Sequence, residues 1–118
     1  MPTWTIYGEL ASKANSRRPT KSGRWIKSKK ALEYLTGFKA QNLQPDLTDG
    51  RVAAFIDIYY ASERPDLDES LLLDALQGIA YKNDRAVRWK QIRHRIDKHN
   101  PRQIVTIIPL DAMPEEVR

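Results

Sequence analysis

Two aspartates near the middle of the chain have the spacing of a divalent-metal site. Asp66 and Asp68 lie two residues apart in the segment RPDLDES, so in extended backbone both carboxylates point to the same side. Paired carboxylates suit a hard cation such as Mg²⁺, which binds one or two protein carboxylates together with water and substrate phosphate. A purely structural interpretation competes with this one. Asp68 also stands where a helix N-cap is expected, and Asp66 where a Pro-Asp turn is expected.

A third carboxylate and a lysine follow in the segment YKNDRAV. Asp84 comes sixteen residues after Asp68, just before a predicted strand, and Lys82 precedes it by two residues. A short helix between the two aspartates can turn the chain back. Asp84 is therefore a candidate third metal ligand, with Lys82 beside it, and such a set suits metal-dependent cleavage of a phosphodiester.

The net charge of +5 conceals an alternation of basic and acidic segments. Residues 10–30 hold eight lysines and arginines and no acid, residues 43–84 hold nine acids against three bases, and residues 85–105 hold seven bases against one acid. A solvated surface accounts for such charges without any ligand. The alternative is a polyanion bound by the two basic segments, with metal-binding carboxylates between them, as a nuclease requires.

The elements that must position these residues alternate between strands and helices. Periodicity, capping and turn signals predict the order β-α-β-α-β-β, an α/β (α+β) domain with a mixed sheet covered by two helices. The basic stretch ASKANSRRPTKSGR, residues 11–24, is expected to be a long loop. The first helix is expected to bury a stripe formed by Leu32, Leu35 and Phe38. The predicted elements are a strand over 3–9, a helix from the Ser28 N-cap to about Leu43, a buried strand over 51–60, a short helix capped by Asp68 and closed by Gly78, and strands over 84–96 and 102–110.

The length of 118 residues suits one domain, so we expect a single domain over 1–118 with a flexible tail over 111–118. The sequence has no cysteine, which excludes a disulfide scaffold, a thiolate zinc site and a cysteine nucleophile. No run approaches the ~18 apolar residues of a membrane span, and the N-terminal residues lack the plan of a signal peptide. We therefore expect a soluble, cytoplasmic protein without a membrane partner.

The segment RPDLDESLLLDALQGIAYKNDRAV resembles the signature of the RusA family of endodeoxyribonucleases, the Holliday junction resolvases of phage and prophage origin. That signature has Asp-x-Asp-Asn, a helix with Lys and then Asp, a Leu-Asn-Gly-like closure, and a final Asp-Asp before a strand. Further upstream, GELASKANSRRP is similar to the family's Gly-x-x-x-Ser-x-x-Asn-x-Arg opening, and GRWIKSKKALEY is similar to its lead into the first helix. The resemblance covers roughly residues 4–110.

This resemblance implies a fold, a reaction and partners. Family members are homodimers of mixed α/β fold that cleave branched double-stranded DNA, above all four-way junctions, by paired symmetric nicks in recombination and repair. The resemblance implies that Asp66, Asp68 and Asp84 bind Mg²⁺, with Mn²⁺ as a substitute. It also implies that the protein acts in the cytoplasm of a bacterial or phage-infected cell.

The sequence departs from the family signature at the expected site. Glu69 stands in place of the family's Asn, and Asn83 in place of the aspartate before the last one. The family's catalytic lysine would fall within residues 70–73, where this chain has none. Either Lys82 or Arg64 then supplies the positive charge, or the protein is a catalytically weakened or inactive DNA-binding module of the same fold. A basic RNA-binding domain is a third interpretation.

Residues on both sides of the acidic segment are the expected DNA contacts. Because alternate residues of a strand face opposite sides, Arg93 and Arg95 can share a face with Trp89, or Arg88 with Lys90, but the two sets cannot share one face. The predicted contacts are Lys13, Asn15, Arg17, Arg18, Arg24, Lys27, Arg64, Arg93 and Arg95.

Overall fold

Six strands and two helices make up the regular structure of the described residues. The computed structural model describes residues 2–12, 17–19 and 25–118, with the backbone alone for 17–19 and 25–27. In chain order the elements are β1 (Thr3–Tyr7), β2 (Arg17–Pro19), β3 (Trp25–Lys27), α1 (Lys29–Ala40), β4 (Val52–Tyr60), α2 (Ser70–Ala75), β5 (Val87–Ile96) and β6 (Arg102–Pro109). Within these ranges, no helix is long and apolar enough to cross a membrane.

Four of the strands form one mixed sheet in the order β1-β6-β4-β5. Strand β4 pairs with β6 in antiparallel orientation and with β5 in parallel orientation. A parallel neighbour requires a crossover connection, which residues 61–86 provide, and α2 lies within it. The predicted α/β (α+β) class, with a mixed sheet and two helices, is confirmed. The crossover carries all three aspartates singled out from the sequence.

The two faces of the sheet differ in what covers them. On one face, alternate residues of β4 up to Ile58 and Tyr60 are buried against α1 and α2. On the opposite face, Phe55, Asp57 and Tyr59 are only half-buried. A smaller apolar cluster lies on that face, formed by Ala53, Ile108 and Leu110 with Phe55, Trp89 and Met113 packed against it. We call the two sides the helix face and the open face.

Helix α1 begins as predicted and ends earlier than predicted. The Ser28 hydroxyl accepts a hydrogen bond from the Ala31 N–H at 3.3 Å, which confirms the N-cap. The helix ends at Ala40 rather than near Leu43. Asn42 has a φ of +47°, a left-handed conformation that cannot continue a right-handed helix.

The buried face of α1 contains Ala31, Tyr34 and Phe38, and Leu35 packs partly buried against the core, so the predicted stripe was wrong at Leu32. Leu32 is 52% exposed. The three buried positions follow the spacing i, i+3, i+7, and the two aromatic side chains cover more of the sheet than a leucine one position away would cover.

Helix α2 begins one residue later than predicted. Glu69, and not Asp68, occupies the N-cap position, and its side chain makes no capping hydrogen bond. Asp68 Oδ1 nevertheless accepts a hydrogen bond from the Ser70 N–H at 3.0 Å, so the aspartate satisfies one unpaired donor of the first turn. Gly78 lies after the helix with a φ of +85°, which glycine adopts without strain.

The basic stretch predicted as a long loop contains one strand of a small antiparallel hairpin. Strands β2 and β3 pair with Arg17 opposite Lys27 and Arg18 opposite Ile26. The loop prediction was wrong for β2, whereas β3 follows the predicted loop. A strand of three residues is too short to show a periodic pattern in the sequence.

Two glutamine side chains connect β1 to other elements. The buried Gln103 of β6 accepts a hydrogen bond from the Tyr34 hydroxyl at 2.7 Å and donates one to the Gly8 carbonyl at 2.7 Å. Gln41 pairs with both backbone groups of Tyr7, accepting from its N–H and donating to its carbonyl, each at 2.8 Å. Because β1 is an edge strand, Gln41 takes the position of a further strand there.

The C-terminal residues form two single 3₁₀ turns, Leu110–Ala112 and Glu115–Val117. Leu110 is buried, and Met113 packs against it. The flexibility expected for residues 111–118 stays a prediction.

Candidate active site

A cleft of about 600 Å³ lies between the end of β1, helix α1 and the segment that follows β4. Its charged lining residues are Glu9, Lys30, Glu33, Arg64 and Asp66. All five are exposed to solvent. The cleft therefore places Asp66 where water and ions reach it, with groups of both charges around it.

Ser12 connects Asp68 to the same cleft. Ser12 lines the cleft together with Asp66, and its hydroxyl donates a hydrogen bond to Asp68 Oδ2 at 3.0 Å. Since Oδ1 accepts from the Ser70 N–H, fixed donors orient both oxygens of this carboxylate. Asp66 thus lines the cleft, and Asp68 is connected to it through Ser12. That both carboxylates bind one metal ion stays a prediction.

Two side chains of the sheet hold the backbone of the D-x-D segment. The Tyr60 hydroxyl donates a hydrogen bond to the Asp66 carbonyl at 3.2 Å and accepts one from the Asp68 N–H at 3.3 Å. The His94 ring lies against the Tyr60 ring, with 4.6 Å between centroids, and its Nε2 is 3.0 Å from the Pro65 carbonyl oxygen. Burial is the main cause that raises the pKa of the Tyr60 hydroxyl; the hydrogen bond from the Asp68 backbone lowers it, and the nearby carboxylates raise it further.

Asp84 lies apart from this pair. It lines a separate cavity of about 290 Å³, together with Arg88 and Lys90, and its backbone N–H donates a hydrogen bond to Gln77 Oε1 at 3.2 Å. In the part of the chain that the structure describes, no three acidic or histidine side chains are placed to hold one metal ion. The structure therefore brings together Asp66 and Asp68 but does not gather Asp84 with them.

The parallel pairing of β4 and β5 explains this separation. Val87, three residues after Asp84, pairs with Val52 at the beginning of β4. Asp66 instead contacts Tyr60, the last residue of β4. Asp84 therefore lies beside the beginning of β4, whereas the D-x-D segment is attached to its end. The crossover that contains α2 does turn the chain back, as predicted, but it returns the chain to the beginning of β4 and not to its end.

An ion pair between Glu69 and Lys90 lies between the two regions. Glu69 directly follows Asp68, and Lys90 lines the cavity that also contains Asp84. Lys90 and His94 both contact the crossover, so they share the helix face of β5. Lys90 thus contacts Glu69 and shares a cavity with Asp84.

Lys82 and Arg64, the two candidates for the missing positive charge, lie in different places. Arg64 lines the cleft together with Asp66. Lys82 is exposed in a third cavity, of about 620 Å³, whose lining includes Asp49 and Asn83. Of the two, only Arg64 shares a cavity with an aspartate of the D-x-D segment.

The predicted DNA contacts on β5 lie on the open face. Arg93 forms a bidentate ion pair with Asp57 of β4, and Trp89 packs against Phe55 with 5.2 Å between ring centroids. The predicted alternation of faces along β5 is confirmed, because Arg93 and Trp89 share the open face while Lys90 and His94 contact the crossover. Arg95 is exposed.

The predicted contacts on the N-terminal side fall largely beyond the structural description. Lys13, Asn15 and Arg24 lie outside the described residues, as do the side chains of Arg17, Arg18 and Lys27. The backbone pairing of Arg17 with Lys27 places these two basic positions side by side.

Three residues at this site were given no role from the sequence, namely Ser12, Tyr60 and His94, and Lys90 was considered only as a DNA contact. Ser12 is the first serine of GELASKANSRRP, at the serine position of the Gly-x-x-x-Ser opening, so the motif contained a signal for it. Strand alternation assigns Lys90 and His94 to one face, but it does not identify which face the crossover covers. Tyr60 resembles any other core residue of a buried strand, because a hydrogen bond to a distant backbone group leaves no local pattern.

The family model described as Endodeoxyribonuclease RusA matches residues 8–108 of this chain. The match includes the cleft residues from Gly8 onwards, the crossover with its aspartates, and all of β4 and β5. A comparison with curated proteins gave no match.

Proposed function

Because the chain belongs to the RusA family of endodeoxyribonucleases, we propose that it is a metal-dependent endonuclease that cleaves branched DNA. The proposed principal substrate is the four-way junction, cut by paired symmetric nicks in recombination and repair. The observation that carries this proposal is the family match over residues 8–108, which spans the cleft and the crossover.

The donor chemistry of the cleft fits a hard divalent cation. Asp66 is exposed in the cleft, and Ser12 and Ser70 orient the carboxylate of Asp68 beside it. Two carboxylates suffice for Mg²⁺, or for Mn²⁺ in its place, because water and substrate phosphate supply the remaining oxygens. Asp84 is the third ligand proposed from the resemblance. Since it lies in a separate cavity, we place its contribution below that of the pair.

The proposed reaction is hydrolysis of a phosphodiester. Water adds to phosphorus, the bond to the 3′ oxygen breaks, and that oxygen leaves with a proton. A bound metal ion supplies Lewis acidity to this reaction. Asp66 and Asp68 hold the ion, and Ser12 keeps the Asp68 carboxylate in one orientation. Arg64 offsets the negative charge that develops on the phosphate, because its guanidinium lines the same cleft.

We also propose that the protein acts as a homodimer. A two-fold axis presents two equivalent sites to a substrate, and two sites on opposed strands produce symmetric nicks. Size-exclusion chromatography with light scattering tests this part independently, because a protein that is monomeric at the concentrations used for cleavage would contradict it.

The decisive experiment is cleavage of an end-labelled four-way junction, beside a linear duplex of the same sequence, with and without Mg²⁺. We expect paired nicks in the junction that require both the metal and Asp66. The variant Asp66→Asn should bind the junction and leave it intact. Asp111→Asn is the matched control, because it removes the same charge from an exposed position in the C-terminal turn, and it should cleave like the wild type.

Two observations favour a second candidate, a DNA-binding module with little or no turnover. The described residues 70–73 contain no lysine, and Asp84 is not gathered with the other two aspartates. Tight binding of the junction without nicks in either Mg²⁺ or Mn²⁺ would select this candidate over the nuclease.

A further inference from the structure

We propose that Tyr60 and His94 are positioning residues that hold the D-x-D segment in its metal-binding conformation, an inference that rests on the proposed function. Together they contact three backbone groups of four consecutive residues, namely the carbonyls of Pro65 and Asp66 and the N–H of Asp68. We refer to these three contacts as the backbone clamp.

The clamp compensates for the lack of regular structure in this segment. Residues 65–68 belong to neither a strand nor a helix, so their backbone groups depend on partners other than a sheet or helix ladder. A single hydroxyl, that of Tyr60, serves one carbonyl and one N–H of the segment at once. Because that tyrosine is 1% exposed and lies at the end of the central strand, it gives the segment a fixed point of attachment.

His94 extends the clamp by one residue and fixes its geometry. The Pro65 carbonyl can only accept a hydrogen bond, so Nε2 of His94 is the donor and carries a proton. The imidazole also packs against the ring of Tyr60. Since β4 and β5 are neighbouring strands of one sheet, the two clamping side chains have a rigid base.

The clamp acts on metal binding and leaves DNA binding largely to other groups. The direction in which the Asp66 and Asp68 carboxylates point follows from the backbone that the clamp holds. The basic groups of the cleft, Lys30 and Arg64, come from α1 and from the chain before the clamped residues. Loosening the clamp should therefore weaken the metal site much more than the affinity for DNA.

Tyr60→Phe is the direct test, because phenylalanine keeps the ring that packs in the core and removes only the hydroxyl. Tyr81→Phe is the matched control. Its hydroxyl also donates to a buried backbone carbonyl, that of Leu73 at 2.6 Å, and it makes no contact with the D-x-D segment. Each variant removes one hydroxyl from a buried tyrosine: Tyr60→Phe loses two partly buried hydrogen bonds and Tyr81→Phe loses one fully buried hydrogen bond, so the control also loses stability.

Two readouts separate positioning from general destabilisation. We expect Tyr60→Phe to increase hydrogen exchange at the Asp68 amide about tenfold and to weaken Mn²⁺ binding, measured calorimetrically without DNA, by about tenfold. Junction affinity without divalent metal should change less than twofold. Tyr81→Phe should leave exchange at Asp68 and Mn²⁺ affinity as in the wild type. His94→Phe, which keeps an aromatic ring against Tyr60 but removes the donor, should follow Tyr60→Phe in both readouts.

The inference and the proposed function fail in distinguishable ways. An Asp68 amide that stays protected in Tyr60→Phe, or an Mn²⁺ affinity equal to that of the wild type, would overturn the clamp. An equal loss of Mn²⁺ affinity in Tyr81→Phe would do so as well. A wild-type protein that binds no divalent metal and cuts no junction would instead overturn the proposed function.

Discussion

Arg93 and Asp57 form a bidentate ion pair across two parallel strands. Nε of Arg93 lies 2.5 Å from Oδ1 of Asp57, and Nη2 lies 2.8 Å from Oδ2. The hydrogen bond to the carboxylate, and then its charge, raise the pKa of Arg93. The Arg93 guanidinium is therefore already bound to a carboxylate, on the side of the sheet away from the crossover.

Arg93→Gln should therefore change the affinity for a four-way junction less than twofold. The guanidinium must leave Asp57 before it can bind a phosphate, which offsets most of what a phosphate contact contributes. Fluorescence anisotropy with a labelled junction measures the effect, and Arg64→Gln serves as the positive control in the cleft. A loss of fivefold or more in Arg93→Gln would restore the DNA contact predicted from the sequence and would place DNA on the open face.

Arg64 and Lys82 should differ in their effect on turnover. We expect Arg64→Gln to lower the single-turnover cleavage rate at saturating Mg²⁺ by at least about tenfold, since its side chain lines the cleft with Asp66. Lys82→Gln, which removes one charge from a different cavity, should retain the rate within about threefold. A larger loss of rate in Lys82→Gln than in Arg64→Gln would show that Lys82 replaces the family's missing lysine. Small and equal losses in both variants would make Lys90 the candidate for that role.

Asp84 should matter less for metal binding than Asp66. Asp66→Asn is expected to weaken Mn²⁺ binding by more than tenfold, whereas Asp84→Asn should weaken it by about threefold, because the cavity of Asp84 is separate from the cleft. Calorimetric titration of both variants gives the comparison. Equal losses in the two variants would show that the three carboxylates share one ion and that the crossover rearranges to bring them together.

Three buried tyrosines predict a loss of stability in alkali. Burial is the main cause that raises the pKa of Tyr34, Tyr60 and Tyr81 above the ordinary value of 10.0. A group whose pKa is higher in the folded state than in the unfolded state contributes its full stabilisation below the unfolded-state pKa. That stabilisation is lost as the pH rises from the unfolded-state pKa through the folded-state pKa. The free energy of unfolding in urea should therefore fall as the pH rises from about 10 to about 12. Tyr81→Phe should reduce this fall, and a flat profile would contradict the prediction.

Much of the fold was predictable because its signals are local. The Ser28 cap, the buried strand before the SERP segment and the strong last strand each depend on neighbouring residues alone. The register of the sheet is not local. Whether Asp84 meets Asp66 depends on β5 running parallel to β4, with Val87 opposite Val52, and nothing in either segment encodes that pairing on its own.

The candidate site likewise contains some features that local sequence predicts and others that depend on tertiary packing. The spacing of Asp66 and Asp68 predicted a shared direction; Asp66 lines the cleft, and Ser12, which also lines it, is hydrogen-bonded to Asp68. The groups that hold them come from distant parts of the chain, because Ser12 is 56 residues from Asp68 and His94 is 29 residues from Pro65. Contacts over such separations are determined by tertiary packing, which propensity and periodicity do not describe.

The pairing of Gln41 with Tyr7 has a consequence for how copies of this protein can associate. An edge strand with a continuous row of free backbone groups acts as a template, onto which a strand from another molecule adds in register and from which fibres grow. Here the side-chain amide of Gln41 occupies both the N–H and the carbonyl of Tyr7 in β1. Since a side chain cannot be extended as a strand can, the template is interrupted at that residue. Two copies of this protein are therefore expected to associate through side-chain surfaces rather than by adding a strand to β1 at Tyr7.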